Sequence, residues 1–267
     1  MVDEKSAFKR QQSAMKEFDV LHKILHQCIC RAYKINTQEP LNDDINEDEE
    51  DSEISTISLY LEFLPKSLKE CIDKKILGNT MKAQIAVEVA HALNFIHKHN
   101  MIHRDVKNEN KMLDSNFKAK VVDFGLVQIN ECFNGQSFVT TTMTRGVGTL
   151  YYMSPEMASE EEYNNSTDVY SYGIVLYYLL IGKLPQHSVK DKTNGKLIPM
   201  PEPSSSISNF GIKLITKCTD YEPLNRPSFE EILNEMRGQS FEIAPGIDQS
   251  LVSKRDHELS LFESTHS

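Results

Sequence analysis

Apolar positions recur along the chain with two periods. Phe8, Met15, Phe18, Leu21 and Leu25 fall at intervals of three, four and seven, which predicts a helix over 8–26. Ile85, Val89, Leu93 and Ile96 repeat that spacing and predict a second helix, from a Thr80 cap to about Asn100. The β-branched run from Ile54 to Phe63 predicts a strand, broken by Leu64-Pro65-Lys66-Ser67. Shorter strands are expected over 29–35, 111–113 and 119–122. The longest apolar run goes from Val169 to Gly182, with Ser171 inside it. It falls well short of the roughly 20 residues that a bilayer needs and predicts a buried helix over 168–182. Two more helices are expected over 208–218 and 228–236. The stretches 130–148 and 186–206 show no period and predict loops. The polar tail, 239–267, is expected to be flexible. A few strands early and helices late make an α+β class.

Composition changes this picture in two places. The net charge is 29 minus 39, or −10. Asp43 to Glu53 carries eight carboxylates and no Lys or Arg, so the rest of the chain is near −2. The acidity is thus a local insert over 38–53, read as a solvated loop. No basic footprint for nucleic acid is present. The five cysteines are odd in number, and Cys28-x-Cys30 has no second pair and no nearby histidine to complete a zinc site. Reduced thiols and an N-terminus without an apolar core predict a cytoplasmic protein with no membrane partner.

Three motifs stand in order. Ile102-His103-Arg104-Asp105-Val106-Lys107-Asn108-Glu109-Asn110 follows the second helix. Asp123-Phe124-Gly125 comes a short way after Asn110, and Ser154-Pro155-Glu156 closes the segment that starts at Asp123. Each tripeptide alone is weak; a lone Asp105 is a surface acid and a lone His103 a core histidine. The ordered set at this spacing resembles the eukaryotic protein kinase family. Gly148-Thr149 through Glu156, which resembles the family segment that receives the substrate, Asp168-Val-Tyr-Ser-Tyr-Gly173 and Asn225-Arg226-Pro227 extend the resemblance over roughly residues 10 to 238.

The resemblance implies a protein-kinase-like fold. Residues 1–64 would be a partial N-lobe with the first helix, two strands and the acidic insert, 65–238 the helical C-lobe, and 239–267 a flexible tail. It implies transfer of the ATP γ-phosphate to protein Ser or Thr hydroxyls with Mg²⁺. Asp105 would accept the hydroxyl proton, Lys107 would reach the transferred phosphate, and Asn110 and Asp123 would hold Mg²⁺. Lys107 with Thr149 is the Ser/Thr version of the pattern. His103, Phe124, Gly125 and Asp168 would be structural, and Glu156 would pair with Arg226. Arg104 implies phosphorylation by an activating kinase at Thr140, Thr141, Thr142 or Thr144, foremost Thr144. Glu62 and Leu64 would read adenine at the hinge, beside a Leu61 gatekeeper. Glu17, with Leu21, His26 and Ile29 in register, would be the helix acid that pairs with a strand Lys.

The sequence departs from the family at its start. No Gly precedes Gly78, so a Gly-rich phosphate loop is absent, and the chain before Glu17 is too short for the first three strands of a small lobe. Lys5, 12 residues before Glu17, is the best candidate for the strand Lys and is expected to be a solvated charge. A start missing from this polypeptide and a lobe that has been lost both remain open, and Met1 does not decide between them. Without the loop and the strand Lys, transfer would fall by several powers of ten. The alternative is a catalytically silent kinase-like scaffold. Lys111 departs too, standing where the family has an apolar residue. The insert is either a spacer or a docking site for a basic partner.

Overall fold

The computed structural model describes residues 4–38, 56–129, 149–238 and 241–266. The predicted loop 130–148, with Thr144, and most of the acidic insert lie outside the described residues.

The apolar run folds as α5 (Ser166–Ile181), buried on all sides and closed by Gly182 in the left-handed region at φ 82°. Around it pack α3 (Asn79–Lys98) and α7 (Asn209–Cys218); α8 (Phe229–Met236) packs on α3. α7 and α8 each bury one face, whereas α3 is buried all round from Ile85 to Ile96. Ser208 and Ser228 cap α7 and α8 by accepting from the N–H of Gly211 and Glu231 at 3.1 and 3.2 Å.

The smaller part holds α1 (Glu4–Lys23) and an antiparallel pair, β1 (Ala32–Gln38) and β2 (Thr56–Leu61). The buried face of α1 is Val20 and Leu21, with Ile24 just beyond its end. A three-stranded sheet in the order β3 (Lys66–Ser67), β5 (Lys111–Leu113), β6 (Ala119–Val121) supports the loop between β5 and its predecessor β4 (Met101–Ile102). β4 pairs with β7 (Gln128–Ile129). Short helices α2 (Leu68–Asp73), α4 (Pro155–Ala158) and α6 (Val189–Thr193) complete the order.

β2 ends at Leu61, before the expected break at 64–67, and Lys66-Ser67 then pairs with Leu113 and Met112 in the three-stranded sheet. Three expectations fail. The second helix starts at Asn79, and the Thr80 hydroxyl accepts instead from the N–H of Asp248 at 2.9 Å. The predicted loop 186–206 contains α6, held by a capping box between Ser188 and Asp191. The tail expected to be flexible folds as α9 (Gln249–His266), seated on α3. Its side chains Val252, Arg255 and Leu259 are buried, so ion pairs as well as apolar contact hold it.

Candidate active site

The loop between β4 and β5 runs over the sheet and turns sharply at Arg104, φ 67°. A non-glycine residue adopts this left-handed conformation only where its surroundings enforce it. Here Asp168, buried at the start of α5, does so. Its two carboxylate oxygens accept from the N–H groups of His103 and Arg104 at 2.8 and 2.9 Å, and His97 Nε2 adds a bond at 2.9 Å. Burial alone would raise the Asp168 pKa; the His97 bond and charge outweigh it and hold the carboxyl low.

The loop thereby brings four side chains together. Lys107 Nζ lies 2.5 Å from Asp105 Oδ2. Asn110 Nδ2 donates to Asp105 Oδ2 at 2.8 Å, to the Asp105 carbonyl at 3.1 Å and to Asp123 Oδ2 at 3.2 Å. Asp105 is buried, and among the described residues its Oδ1 has no partner. A buried carboxylate oxygen left open in this way is an acceptor awaiting a donor. Asp123, also at positive φ (65°), is exposed.

Phe124 is buried, its ring 5.0 Å from that of His103. The His103 imidazole is pushed down to about 4 by burial and by the neighbouring Lys111 ammonium, so it is neutral at pH 7. Glu17 Oε1 accepts from the Phe124 N–H at 3.1 Å. Burial raises the Glu17 pKa, the Phe124 N–H opposes the rise and the Asp123 charge adds to it. A Cβ at Gly125 would stand 2.7 Å from the Ser13 hydroxyl, which would have to turn aside. The side chain of Lys5 is not among those described, so the strand Lys has no described occupant.

Glu62 and Leu64 lie in the short segment that follows β2. The Glu62 N–H donates to the Arg31 carbonyl at 2.8 Å, and its carboxylate holds Lys120 at 2.9 Å. Leu64 is buried. Arg104 donates to the Leu126 carbonyl, Gln128 Oε1 and the Tyr163 hydroxyl at 2.6, 2.9 and 3.0 Å. Thr149 begins a short 3-10 turn that leads to α4. At its far end the Arg226 fork meets Glu156 with bonds of 2.7 and 2.8 Å, both residues buried.

Two charged residues escaped the motif reading. Lys111 is fully buried behind Asn110, its Nζ 3.4 Å from the Lys107 carbonyl, and burial pushes it down to about 8 against the pull of Asp105 and Asp168. Its departure from the motif was visible, its burial was not. Lys192 is buried under the turn that follows Thr149, and no local signal marks it.

The sequence profile of the protein kinase domain matches residues 1–236. A probable serine/threonine-protein kinase of Dictyostelium discoideum is 34% identical over 194 residues, 68% of this chain and 14% of that protein. A second from the same organism is 33% identical over 181 residues, 65% of this chain and 19% of the relative. A dual specificity protein kinase of that organism is 33% identical over 189 residues, 67% of this chain and 36% of the relative. The chain therefore spans a minor part of each relative's length. The profile covers the β4–β5 loop, Asp123 and the Glu156–Arg226 pair alike, and the chain belongs to the protein kinase domain family.

Proposed function

We propose that this chain is a protein serine/threonine kinase that transfers the γ-phosphate of ATP to protein hydroxyls. The observation that carries the reading is the meeting of Lys107 and Asn110 on Asp105, with Asn110 also bonded to Asp123, while the Asp105 Oδ1 is buried and open among the described residues. In this reading Asp105 orients the substrate hydroxyl and takes its proton, while Lys107 steers the transferred phosphate. Asn110 and Asp123 suit Mg²⁺: among the described residues no three His, Cys, Asp or Glu form a closed metal cage. Mg²⁺ keeps waters and substrate phosphates as its remaining ligands, so two oxygen-bearing side chains serve it. Bound ATP would supply the transferable phosphoryl group, and Mg²⁺ held by Asn110 and Asp123 would offset the charge of its phosphates. The hinge roles of Glu62 and Leu64, the structural roles of His103, Phe124, Gly125 and Asp168, and the waiting role of Glu17 belong to the same reading.

Lys107 and the names of two relatives support serine/threonine preference, and the dual-specificity relative makes tyrosine the comparison substrate. Control by an activating kinase at Thr144 is also part of the reading. Among the described residues Arg104 donates to neutral acceptors, which a phosphate outcompetes. A cytoplasmic site of action completes it; among the described residues no helix is long and apolar enough to cross a membrane.

Calorimetric titration of the chain with ATP, with and without Mg²⁺, tests the reading, with Asp123→Ala as control. Magnesium-dependent binding lost in Asp123→Ala, followed by γ-phosphate transfer to Ser/Thr peptides, is the expected result. Absence of binding at millimolar ATP overturns it in favour of a silent scaffold.

A further inference from the structure

The turn from Thr149 to Met153 carries no regular backbone pairing beyond its 3-10 start, yet three of its carbonyls turn inward to a single charge. Lys192 Nζ donates to the carbonyls of Leu150, Tyr151 and Met153 at 3.0, 3.1 and 2.7 Å. An ammonium has three donors and no acceptor, so this set saturates it. Lys192 is 2% exposed. Burial pushes it down to about 8, against the attraction of Glu156. A lysine buried at such cost persists where its hydrogen bonds repay the desolvation.

The neighbourhood is built around it. The Tyr170 ring, buried in α5, has Lys192 Nζ 5.4 Å from its centroid and the Arg226 guanidinium 5.1 Å away. Arg226 in turn grips Glu156. The segment from Leu150 to Glu156 is therefore pinned at both ends by buried cations that share one aromatic ring. α6, which presents Lys192, is itself fixed by the Ser188–Asp191 capping box and by Lys196 on Asp191 at 3.1 Å. Between the pinned carbonyls, Tyr151 stays 44% exposed.

We propose that Lys192 is a positioning residue for the protein substrate: it anchors the backbone of 150–153 so that Tyr151 is presented to the incoming chain. This rests on the kinase reading, in which that segment receives the substrate. Loss of the anchor should weaken the peptide's grip and leave the nucleotide's unchanged, because the bonds of Lys192 go to the turn and to none of Asp105, Asn110 or Asp123.

The test compares the full chain with Lys192→Met and, where Met fails to fold, Lys192→Gln, which keeps two donors. Amide hydrogen exchange over 150–158 needs no catalysis. About tenfold faster exchange there is expected from loss of charge-assisted bonds, with the rates in α3 unchanged. Initial rates on a mixed Ser/Thr peptide library should show KM for peptide raised about fivefold or more and KM for ATP unchanged. Unaltered exchange overturns the anchor. Faster exchange with an unaltered peptide KM overturns the positioning role. A wild-type chain that transfers no phosphate overturns the kinase reading and the substrate role with it, and exchange then decides the anchor separately.

Discussion

Replacing Arg255 with Leu strips a buried carboxylate of its counter-charge. Glu88 sits inside α3 at 2% exposure, one oxygen 2.6 Å from Arg255 Nε and the other accepting from the Ala119 N–H at 2.7 Å. Even with Arg255 present, burial raises the Glu88 pKa, opposed by the Arg255 charge. Arg255 also reaches Gln27 Oε1 at 3.1 Å and so ties α9 to the segment behind α1. Removing one partner of a buried pair costs about 3–5 kcal/mol, because the other charge stays uncompensated. For a domain of this size that lowers Tm by on the order of 10 °C. Urea unfolding of wild type, Arg255→Leu, Glu88→Leu and the double variant measures it as a cycle. The double variant should recover most of the loss, since packed apolar side chains replace a buried pair at little cost. In Arg255→Leu alone the orphaned Glu88 has a further raised pKa, so its neutral form is tolerated at low pH. The penalty is then small near the ordinary carboxylate range and grows as pH rises toward the raised folded-state pKa. A loss below about 1 kcal/mol at pH 7, or a double variant no better than the single, refutes the argument that α9 is a constituent of the fold.

Buried titratable groups give two more expectations. His91 faces Glu263 from Nδ1 at 2.6 Å and Asp256 from Nε2 at 2.9 Å. Burial would lower its pKa, but these bonds outweigh it and raise it above 6.5. Its stabilisation is therefore full below pH 6.5 and lost as pH rises through the raised value. His26, which accepts the Cys28 N–H at Nδ1 and gives Nε2–H to Glu263, is lowered by burial and contributes in the opposite sense. Scanning fluorimetry should show Tm falling above pH 6.5 and the fall flattened in His91→Gln, and an unchanged slope would count against the assignment. Lys111→Met removes a buried ammonium whose bond to the Lys107 carbonyl is 3.4 Å long. It should stabilise the metal-free chain by on the order of 2 kcal/mol in urea unfolding, and destabilisation would show that the charge is needed where it lies.

What the sequence made legible has a physical cause, and so has what it hid. An apolar run from Val169 to Gly182 with one serine can only be buried, so α5 was readable nearly to its ends. The site was readable because its groups come from short stretches whose spacing is itself the signal. Asp105, Lys107 and Asn110 share one loop, and Asp123 follows one strand pair later. α9 was hidden because its inward stripe, Val252, Arg255, Asp256, Leu259 and Glu263, mixes charge with apolar side chains. The partners of that stripe, Glu88 and His91, lie in a helix from the first half of the chain. No local window contains that information. Lys192 was hidden for the same reason: its three acceptors are backbone carbonyls, which every residue has.

The hidden features and the legible site turn out to be one electrostatic scheme. Three buried carboxylates hold the backbone around the candidate site, each satisfied by a distant donor. Asp168 fixes the turn at Arg104, Glu156 fixes the end of the 150–156 segment through Arg226, and Glu88 fixes the start of β6 through the Ala119 N–H. β6 leads directly into Asp123. The last of these carboxylates depends on Arg255, outside the residues that the kinase domain profile matches. A charge on α9 thus bears on the geometry of Asp123 through the Glu88 carboxylate and the length of β6. Deleting that charge perturbs the presentation of Asp123 more than deleting any apolar side chain of α9, because an emptied apolar contact relaxes locally whereas an orphaned carboxylate must find a proton or water. Amide exchange at Ala119–Val121 in Arg255→Leu against Leu259→Ala separates the two: the charge deletion should open β6 and the apolar one should not.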